Sequence, residues 1–131
     1  MNKTKTKKIM VDMSATLIHH GHIRLLKKAS KYGKVIVALV TDQEIKKNKG
    51  YMPEMNYSQR KEIIQSIRYV NEVIPSKFVL NNKFLSKFKI DLLVHGNDNK
   101  SKINKKRLLI FKCTNNISST ILRKRAVKCL K

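Results

Sequence analysis

The stretch KVIVALVTD, Lys34 to Asp42, consists mainly of Val, Ile, Ala and Leu. Continuous apolarity over such a length predicts a strand that is covered on both faces, as in a parallel sheet. KKIMVDM at 7–13 and IDLLVHG at 90–96 have the same character. EVIP at 72–75 and RLLIF at 107–111 are shorter apolar segments, so five strands are predicted in all.

Helices are predicted between these strands. Apolar residues recur at helical spacing after the histidine-rich segment 19–22, and this pattern stops at Gly33. Further helices are predicted at 57–70, 81–89 and 118–131. The polar segment 43–56, which contains Gly50 and Pro53, is predicted to be a loop. The alternation predicts a single α/β domain over residues 1–131, with a Rossmann-like, doubly wound, parallel five-stranded sheet.

The chain is strongly basic. It carries 30 Lys and Arg residues against 8 Asp and Glu, a formal net charge of +22, and such a charge attracts polyanions. The lysines are spread along the whole chain, however, aromatic residues make up only 6%, and no nucleic-acid stacking motif is present. The composition therefore favours small phosphorylated ligands, with nucleic acid kept as the less favoured alternative.

The sequence does not indicate membrane insertion. No run of about 18 apolar residues occurs, and Asp12 and the histidines interrupt the segment that follows the basic start of the chain, unlike a signal peptide. A cytoplasmic location is expected. The two cysteines, Cys113 and Cys129, have neither zinc-ligand nor disulfide-framework spacing, so we expect reduced, mostly buried thiols.

In doubly wound sheets, ligands bind outside the carboxyl ends of the strands. SATLIHHGH at 14–22 follows the first strand and opens a helix, so His19 and His22, one turn apart, project to one side. Gly21 permits close approach of a ligand. A helix N-terminus favours an anion, and imidazole donors stabilise charge on a phosphate. A phosphate site is therefore preferred to solvated histidines and to a zinc site, for which no carboxylate or cysteine sits nearby in sequence.

The start of the last helix repeats this pattern. Ser118, Ser119 and Thr120 offer hydroxyls and backbone N–H groups, and two such helix ends at one edge of the sheet suit a polyphosphate. Candidate cations for neutralising phosphate are Lys46, Lys47, Lys49, Arg60 and Arg68, the last two predicted on one helix face. Neither a P-loop nor a dinucleotide-binding glycine motif is present.

These motifs resemble those of a known family. HHGH at 19–22 fits the His-x-Gly-His signature of a nucleotidyltransferase superfamily, and NISST at 116–120 fits its second signature. NYSQRKEIIQSIRYVNEVIP and IDLLVHGNDN are similar to the intervening segments of the cytidylyltransferases that act on glycerol 3-phosphate, choline phosphate and ethanolamine phosphate. The resemblance covers residues 9–122 in the family's motif order.

The resemblance implies transfer of CMP from CTP to a phosphorylated alcohol, or a related phosphonate, with release of pyrophosphate. His19 and His22 would hold the CTP phosphates and stabilise the transition state. Lys49, also catalytic, would bind the acceptor phosphate or the α-phosphate of CTP, and Arg60 would contact the acceptor phosphate. The further CTP- or phosphate-binding positions that it implies are Ser14, Ala15, Gly21, Arg68, Asp98, Ile117, Ser118, Ser119 and Thr120. A Mg²⁺ ion bridging the phosphates and a homodimer paired through IRYVNEVIP at 67–75 are also expected.

Some positions depart from the family pattern. Thr16, Cys113 and Asn116 stand where relatives commonly carry Asp, Arg and Gly, and Asn71 replaces an Asp. Two alternatives therefore stay open: an adenylyltransferase of the same superfamily, and a non-catalytic relative that binds nucleotide or nucleic acid.

Overall fold

The computed structural model describes residues 6–96 and 103–130. Within them, all strand pairings are parallel, and the strand order is β3-β2-β1-β4-β5. The strands are β1 (Lys8–Met13), β2 (Lys34–Val40), β3 (Glu72–Ser76), β4 (Leu92–His95) and β5 (Leu108–Ile110). The predicted Rossmann-like α/β class is confirmed.

Helices connect the strands. They are α1 (His20–Ser30), α2 (Asp42–Lys49), α3 (Tyr57–Gln65), α4 (Asn82–Lys87) and α5 (Ser119–Cys129), with a short 3-10 turn at Lys105–Arg107. None of the helices in the described part of the chain has the length and apolarity to cross a bilayer.

Side chains of β1 alternate between two core layers. Ile9 and Val11 pack with Leu26 of α1, whereas Met10 packs with Leu85 of α4 on the opposite face of the sheet. The same alternation places Asp12, which follows Val11, on the α4 face of the sheet at the carboxyl end of β1.

The centre of the sheet is a topological switch point. From β1 the chain builds β2 and β3 on one side, and it then returns to place β4 and β5 on the other side of β1. Ligands of doubly wound sheets bind in the crevice at the carboxyl ends of the strands at such a point. The crevice between β1 and β4 is therefore where the fold positions a site.

One element differs in kind from the prediction. The segment after β2 is not all loop, because α2 begins at Asp42 behind an N-cap, Thr41, whose Oγ1 accepts the backbone N–H of Glu44 at 3.4 Å. Ile45 is fully buried and anchors the helix, and Gly50 ends it in the left-handed conformation with φ of 80°.

Element ends also differ. The helix predicted over 57–70 ends at Gln65, and a turn with Arg68 follows it. Strand β3 continues through Pro75 to Ser76, which pairs with Val40. Proline is tolerated there because β3 is an edge strand.

Candidate active site

A cavity of about 750 Å³ opens at the carboxyl edge of the sheet. Its lining comes from the turn between β1 and α1, the start of α1, the end of α2, the segment after β3, the end of β4 and residues 111–120. Ten of the predicted site residues lie in this lining: Ser14, Ala15, His19, Gly21, His22, Lys49, Ile117, Ser118, Ser119 and Thr120.

His19 and His22 together cap the start of α1. His19 is the N-cap residue, and its Nδ1 accepts the backbone N–H of Gly21 at 3.1 Å. Nδ1 of His22 accepts the backbone N–H of His19, also at 3.1 Å. The two ring centroids lie 4.0 Å apart, as expected for side chains one turn apart.

This capping arrangement fixes the tautomer of both rings. A ring nitrogen that accepts a hydrogen bond carries no proton, so in the neutral imidazole the proton resides on Nε2. Burial, and secondarily His19, lowers the pKa of His22 to about 3, while burial and then His20 lower the pKa of His19. Both rings are therefore neutral near pH 7, and each carries an Nε2–H donor.

Of the other two residues of the histidine motif, Gly21 lines the cavity and His20 does not. A Cβ atom at Gly21 would lie 2.8 Å from Cε1 and 2.9 Å from Nδ1 of His19, so glycine is needed for the His19 ring to fold over the helix start. The same Cβ would lie 3.3 Å from Cγ2 of Ile117, which precedes α5. His20 is exposed and does not belong to the cavity lining.

The start of α5 is hydrogen-bonded to the histidine turn, which is the segment 14–19 between β1 and α1. Ser119 Oγ donates to the carbonyl of Leu17 at 2.9 Å and accepts the Leu17 N–H at 3.1 Å. Ser118 is the N-cap, and its Oγ accepts the N–H of Ile121 at 3.0 Å. The Ser119 hydroxyl thus has a structural role, while Ser119 and Thr120, in the first turn of α5, both line the cavity.

Two non-glycine residues of the lining segments adopt positive φ. Asn116, which precedes the cavity residue Ile117, has φ of 60°, a conformation that asparagine tolerates better than most residues other than glycine. Ala15 has φ of 45° and is only 3% exposed at the exit of β1. Such a backbone conformation costs energy and is typical of functional turns.

Of the three lysines that were predicted from the sequence to neutralise phosphate, one lines the cavity. Lys49 lines it from the end of α2, whereas Lys46 and Lys47 of the same helix are exposed outside the lining. Further cations in the lining are Arg24, Lys28 and Lys112. The cavity is therefore electropositive around its rim.

Arg60 is not in the cavity, contrary to the expectation that it contacts the acceptor phosphate. Its side chain is fully buried and pairs with Asp42 Oδ1 at 2.7 Å. Nε donates to the carbonyl of Met55, and Nη1 donates to those of Ser14 and Val40. A guanidinium committed in this way supports the wall of the cleft instead of binding a ligand.

Two other predicted residues also lie apart from the cavity. Arg68 is exposed beyond the end of α3, with its guanidinium 5.3 Å from the centroid of the Tyr69 ring, so it does not share a helix face with Arg60. Asp98 lies outside the described residues.

A carboxylate–imidazole pair at the switch point was not found by the sequence analysis. Asp12 Oδ1 lies 2.5 Å from His95 Nδ1, at the carboxyl ends of β1 and β4, and both residues line the cavity. An ionised carboxylate only accepts hydrogen bonds, so Nδ1 of His95 is the donor. Asp12 is the one acidic residue in the described lining. Separation by 83 positions hid this pair from motif reading.

Both cysteines lie at the protein surface. Cys113 and Cys129 are exposed, so the expectation of mostly buried thiols was wrong, and Cys113 lines the cavity. Among the described residues, no group of three or more His, Cys, Asp or Glu side chains is arranged to hold a metal ion.

A doubly wound sheet whose switch point carries a His-x-Gly-His helix start and a serine-capped helix start defines a nucleotidyltransferase. Residues 14–125 match the family model described as cytidylyltransferase-like. The chain belongs to this cytidylyltransferase-like family, as the sequence motifs indicated.

Several known proteins are similar to this chain. It is 37% identical over 122 residues to glycerol-3-phosphate cytidylyltransferase of Staphylococcus aureus, covering 87% of this chain and 90% of that protein. Identity to glycerol-3-phosphate cytidylyltransferase of Bacillus subtilis is 34% over 93 residues, covering 70% and 72%. Identity to ethanolamine-phosphate cytidylyltransferase of Mus musculus is 36% over 93 residues, but the chain spans only 23% of that longer enzyme.

A solved structure shares the fold. The lipopolysaccharide core biosynthesis protein of Thermoplasma volcanium superposes with a TM-score of 0.63 over 95% of this chain and 89% of its own, at 20% identity.

Proposed function

We propose that this protein transfers CMP from CTP to a phosphorylated alcohol and releases pyrophosphate. The observation that carries the proposal is the shared cavity of two helix starts, with the imidazoles of His19 and His22 on one and the N-cap Ser118 on the other. Ser119 and Leu17 bond these two ends directly to each other. Cytidylyltransferases of glycerol 3-phosphate and ethanolamine phosphate are similar over most of this chain.

The chemistry is an in-line displacement at phosphorus. An oxygen of the acceptor phosphate attacks the α-phosphorus of CTP, the new P–O bond forms, and the α–β bridging bond breaks with its electron pair leaving on pyrophosphate. The Nε2–H groups of His19 and His22 donate to phosphate oxygens that gain charge in the transition state. The first-turn N–H groups of α5 bind the outer phosphates, and Lys49 neutralises the acceptor phosphate.

A Mg²⁺ ion is compatible with these residues. Mg²⁺ usually keeps several waters and is held by one or two carboxylates together with substrate phosphates. The described lining offers Asp12 but no multi-carboxylate cluster, which fits an ion held mainly by CTP. When bound, such an ion would neutralise charge on the phosphates.

The carboxylate of Asp12, at the carboxyl end of β1, favours an acceptor that bears an amino group. Asp12 is 9% exposed on the face of the sheet opposite α1, and, paired with His95, it is the one carboxylate among the described residues of the cavity lining. Phe78, which follows β3, lines the same cavity. An ammonium group beside Asp12, with the acceptor phosphate at Lys49, satisfies both charges. We therefore place ethanolamine phosphate and its phosphonate analogues ahead of glycerol 3-phosphate.

Oligomeric state and location extend this proposal. A homodimer formed through residues 67–75 and a cytoplasmic location suit an enzyme whose substrates are small phosphorylated metabolites. Nucleic acid is the less favoured partner, because the phosphate-binding features converge on one cavity instead of forming an extended surface.

A pyrophosphate-release assay tests the reaction. Each nucleoside triphosphate is paired with glycerol 3-phosphate, choline phosphate, ethanolamine phosphate and 2-aminoethylphosphonate. Release with CTP supports the proposal, whereas release with ATP alone indicates an adenylyltransferase. No release with any pair, together with tight, salt-sensitive RNA binding, indicates a non-catalytic relative.

Asp12→Asn tests the acceptor class, because it keeps the shape and removes the charge. The KM for ethanolamine phosphate should rise about 10- to 100-fold, as for loss of a charged hydrogen bond. The KM for glycerol 3-phosphate should stay unchanged. Equal effects on both acceptors would refute the amino-group assignment while leaving the transfer reaction intact.

A further inference from the structure

We infer that Arg123 of α5 is a positioning residue for the transfer reaction. It fastens the α2–α3 loop (residues 50–56) to the turn before α1, and it thereby holds Lys49 in place relative to His19 and His22. The inference rests on the proposed function but concerns a residue outside the cavity lining.

The guanidinium of Arg123 grips the α2–α3 loop at two points. Nη2 donates to Glu54 Oε1 at 2.7 Å, and Nε donates to the second oxygen of the same carboxylate. Nη1 reaches the hydroxyl of Tyr51 at 3.4 Å, and the guanidinium carbon lies 4.7 Å from the centroid of the Tyr51 ring. A bidentate carboxylate contact fixes orientation as well as distance.

The same guanidinium also reaches the histidine turn. Nη2 donates to Thr16 Oγ1 at 3.2 Å. Thr16 is 1% exposed, lines the cavity and lies three positions before His19. Three segments that are distant in sequence therefore meet at Arg123: the loop, the turn and α5.

A second arginine ties the same two segments from inside. Arg60 donates to the carbonyls of Met55 in the loop and Ser14 in the turn. Arg60 is fully buried, whereas the side chains of Arg123 and Glu54 are 27% and 41% exposed. Ion pairs that are this exposed contribute little to folding, so the Arg123 tie contributes chiefly to local geometry.

Lys49 connects this local geometry to the reaction. It is the last residue of α2 and lines the cavity, and Gly50 turns the chain from the helix into the loop. Loss of the Arg123 tie loosens the part of the loop next to the end of α2, whereas Met55 stays held by Arg60 and His19 by its own capping bonds. Small misplacements of a positioning group cost up to about 100-fold in rate. Because Lys49 is proposed to bind the acceptor phosphate, the expected effect is a lower kcat/KM for the acceptor.

The test compares Arg123→Gln, Glu54→Gln and the double variant with Lys124→Gln. Lys124 is exposed on the same helix, so its substitution is a matched loss of charge. Each single variant should lower kcat/KM for the acceptor about tenfold, and the double variant should lose no more than either single one. The KM for CTP should change less than twofold, and the melting temperature should fall by no more than about 5 °C.

Unchanged kcat/KM in Arg123→Gln, or an equal loss in Lys124→Gln, would overturn the inference. A loss that is additive in the double variant would overturn it as well, because the two residues would then act separately. If the wild-type protein releases no pyrophosphate with any substrate pair, the proposed function fails first. Amide hydrogen exchange over residues 50–56 then decides the tie itself: faster exchange in Arg123→Gln supports it, and unchanged exchange refutes it.

Discussion

Nδ1 of His22 accepts the backbone N–H of His19, whose own Nδ1 accepts the N–H of Gly21, so both rings present Nε2–H groups as neutral donors. Each donor is expected to stabilise the charge that develops on phosphate in the transition state. Removing either one should therefore lower kcat by about two to three orders of magnitude. His19→Ala and His22→Ala, measured by pyrophosphate release, test this. His20→Ala is the matched control, since His20 lies outside the cavity, and it should stay within twofold of wild type. Near wild-type rates for His22→Ala would remove that imidazole from the mechanism.

The lowered pKa of His22 predicts a pH-dependent stability. Its pKa is about 3 in the folded protein against 6.5 without the fold, so the unfolded chain binds more protons between these values. The contribution of His22 to the free energy of unfolding should therefore be at its maximum above about pH 6.5. It should fall towards pH 3, by at most about 1.4 kcal/mol per pH unit. Urea unfolding at pH 7.5, 6 and 5 measures the slope. His22→Gln should flatten it, and an identical slope in that variant would contradict the assignment.

Gly21→Ala should damage the reaction more than the fold. The added Cβ would overlap the His19 ring, which must then rotate away from the helix start. We expect kcat to fall about 10- to 100-fold through misplacement of the donor. Gly33→Ala provides the contrast, because its Cβ would meet the carbonyl of Lys7 at 2.3 Å, at the opposite end of β1. That variant should lower the melting temperature and leave the kcat of the folded fraction intact.

Arg60→Met should act on stability. Asp42 would be left without its buried partner, and the carbonyls of Ser14, Val40 and Met55 would each lose a donor. Breaking a buried pair in this way typically costs about 3–5 kcal/mol. Denaturant unfolding measures the loss. A variant with wild-type stability and a raised acceptor KM would instead return Arg60 to a role in ligand binding.

Lys49→Met should weaken acceptor binding. Loss of a charged contact to phosphate is expected to raise the acceptor KM about tenfold or more. Lys47→Met is the control, because Lys47 belongs to the same helix but lies outside the cavity lining. Steady-state kinetics at varied acceptor concentration distinguish the two, and equal effects would indicate only a general influence of surface charge.

The sequence was sufficient where a feature is local. Strand β2 was predicted from continuous apolarity, and helices were predicted to begin at the histidine motif and at Ser118–Thr120, as the structure shows. Their convergence followed from the general rule for carboxyl edges of parallel sheets. A local failure was α2, in which only Ile45 is buried, so the segment shows no apolar periodicity.

The features that sequence could not predict depend on tertiary register. Asp12 meets His95 because β1 and β4 pair with Val11 opposite Val94, and this register is set by packing across the whole sheet. The burial of Arg60 is equally invisible, because an arginine on a polar helix is normally exposed. Its four partners come from three separate segments.

The cavity straddles the edge of the sheet, with the helix-start donors on the α1 face and Asp12 on the α4 face. Consecutive residues of β1 face opposite layers, so the residues on each face can be substituted separately. Acceptor preference and nucleotide handling can thus diverge independently during evolution. A lineage can exchange one substrate for another without rebuilding the machinery that cleaves the triphosphate.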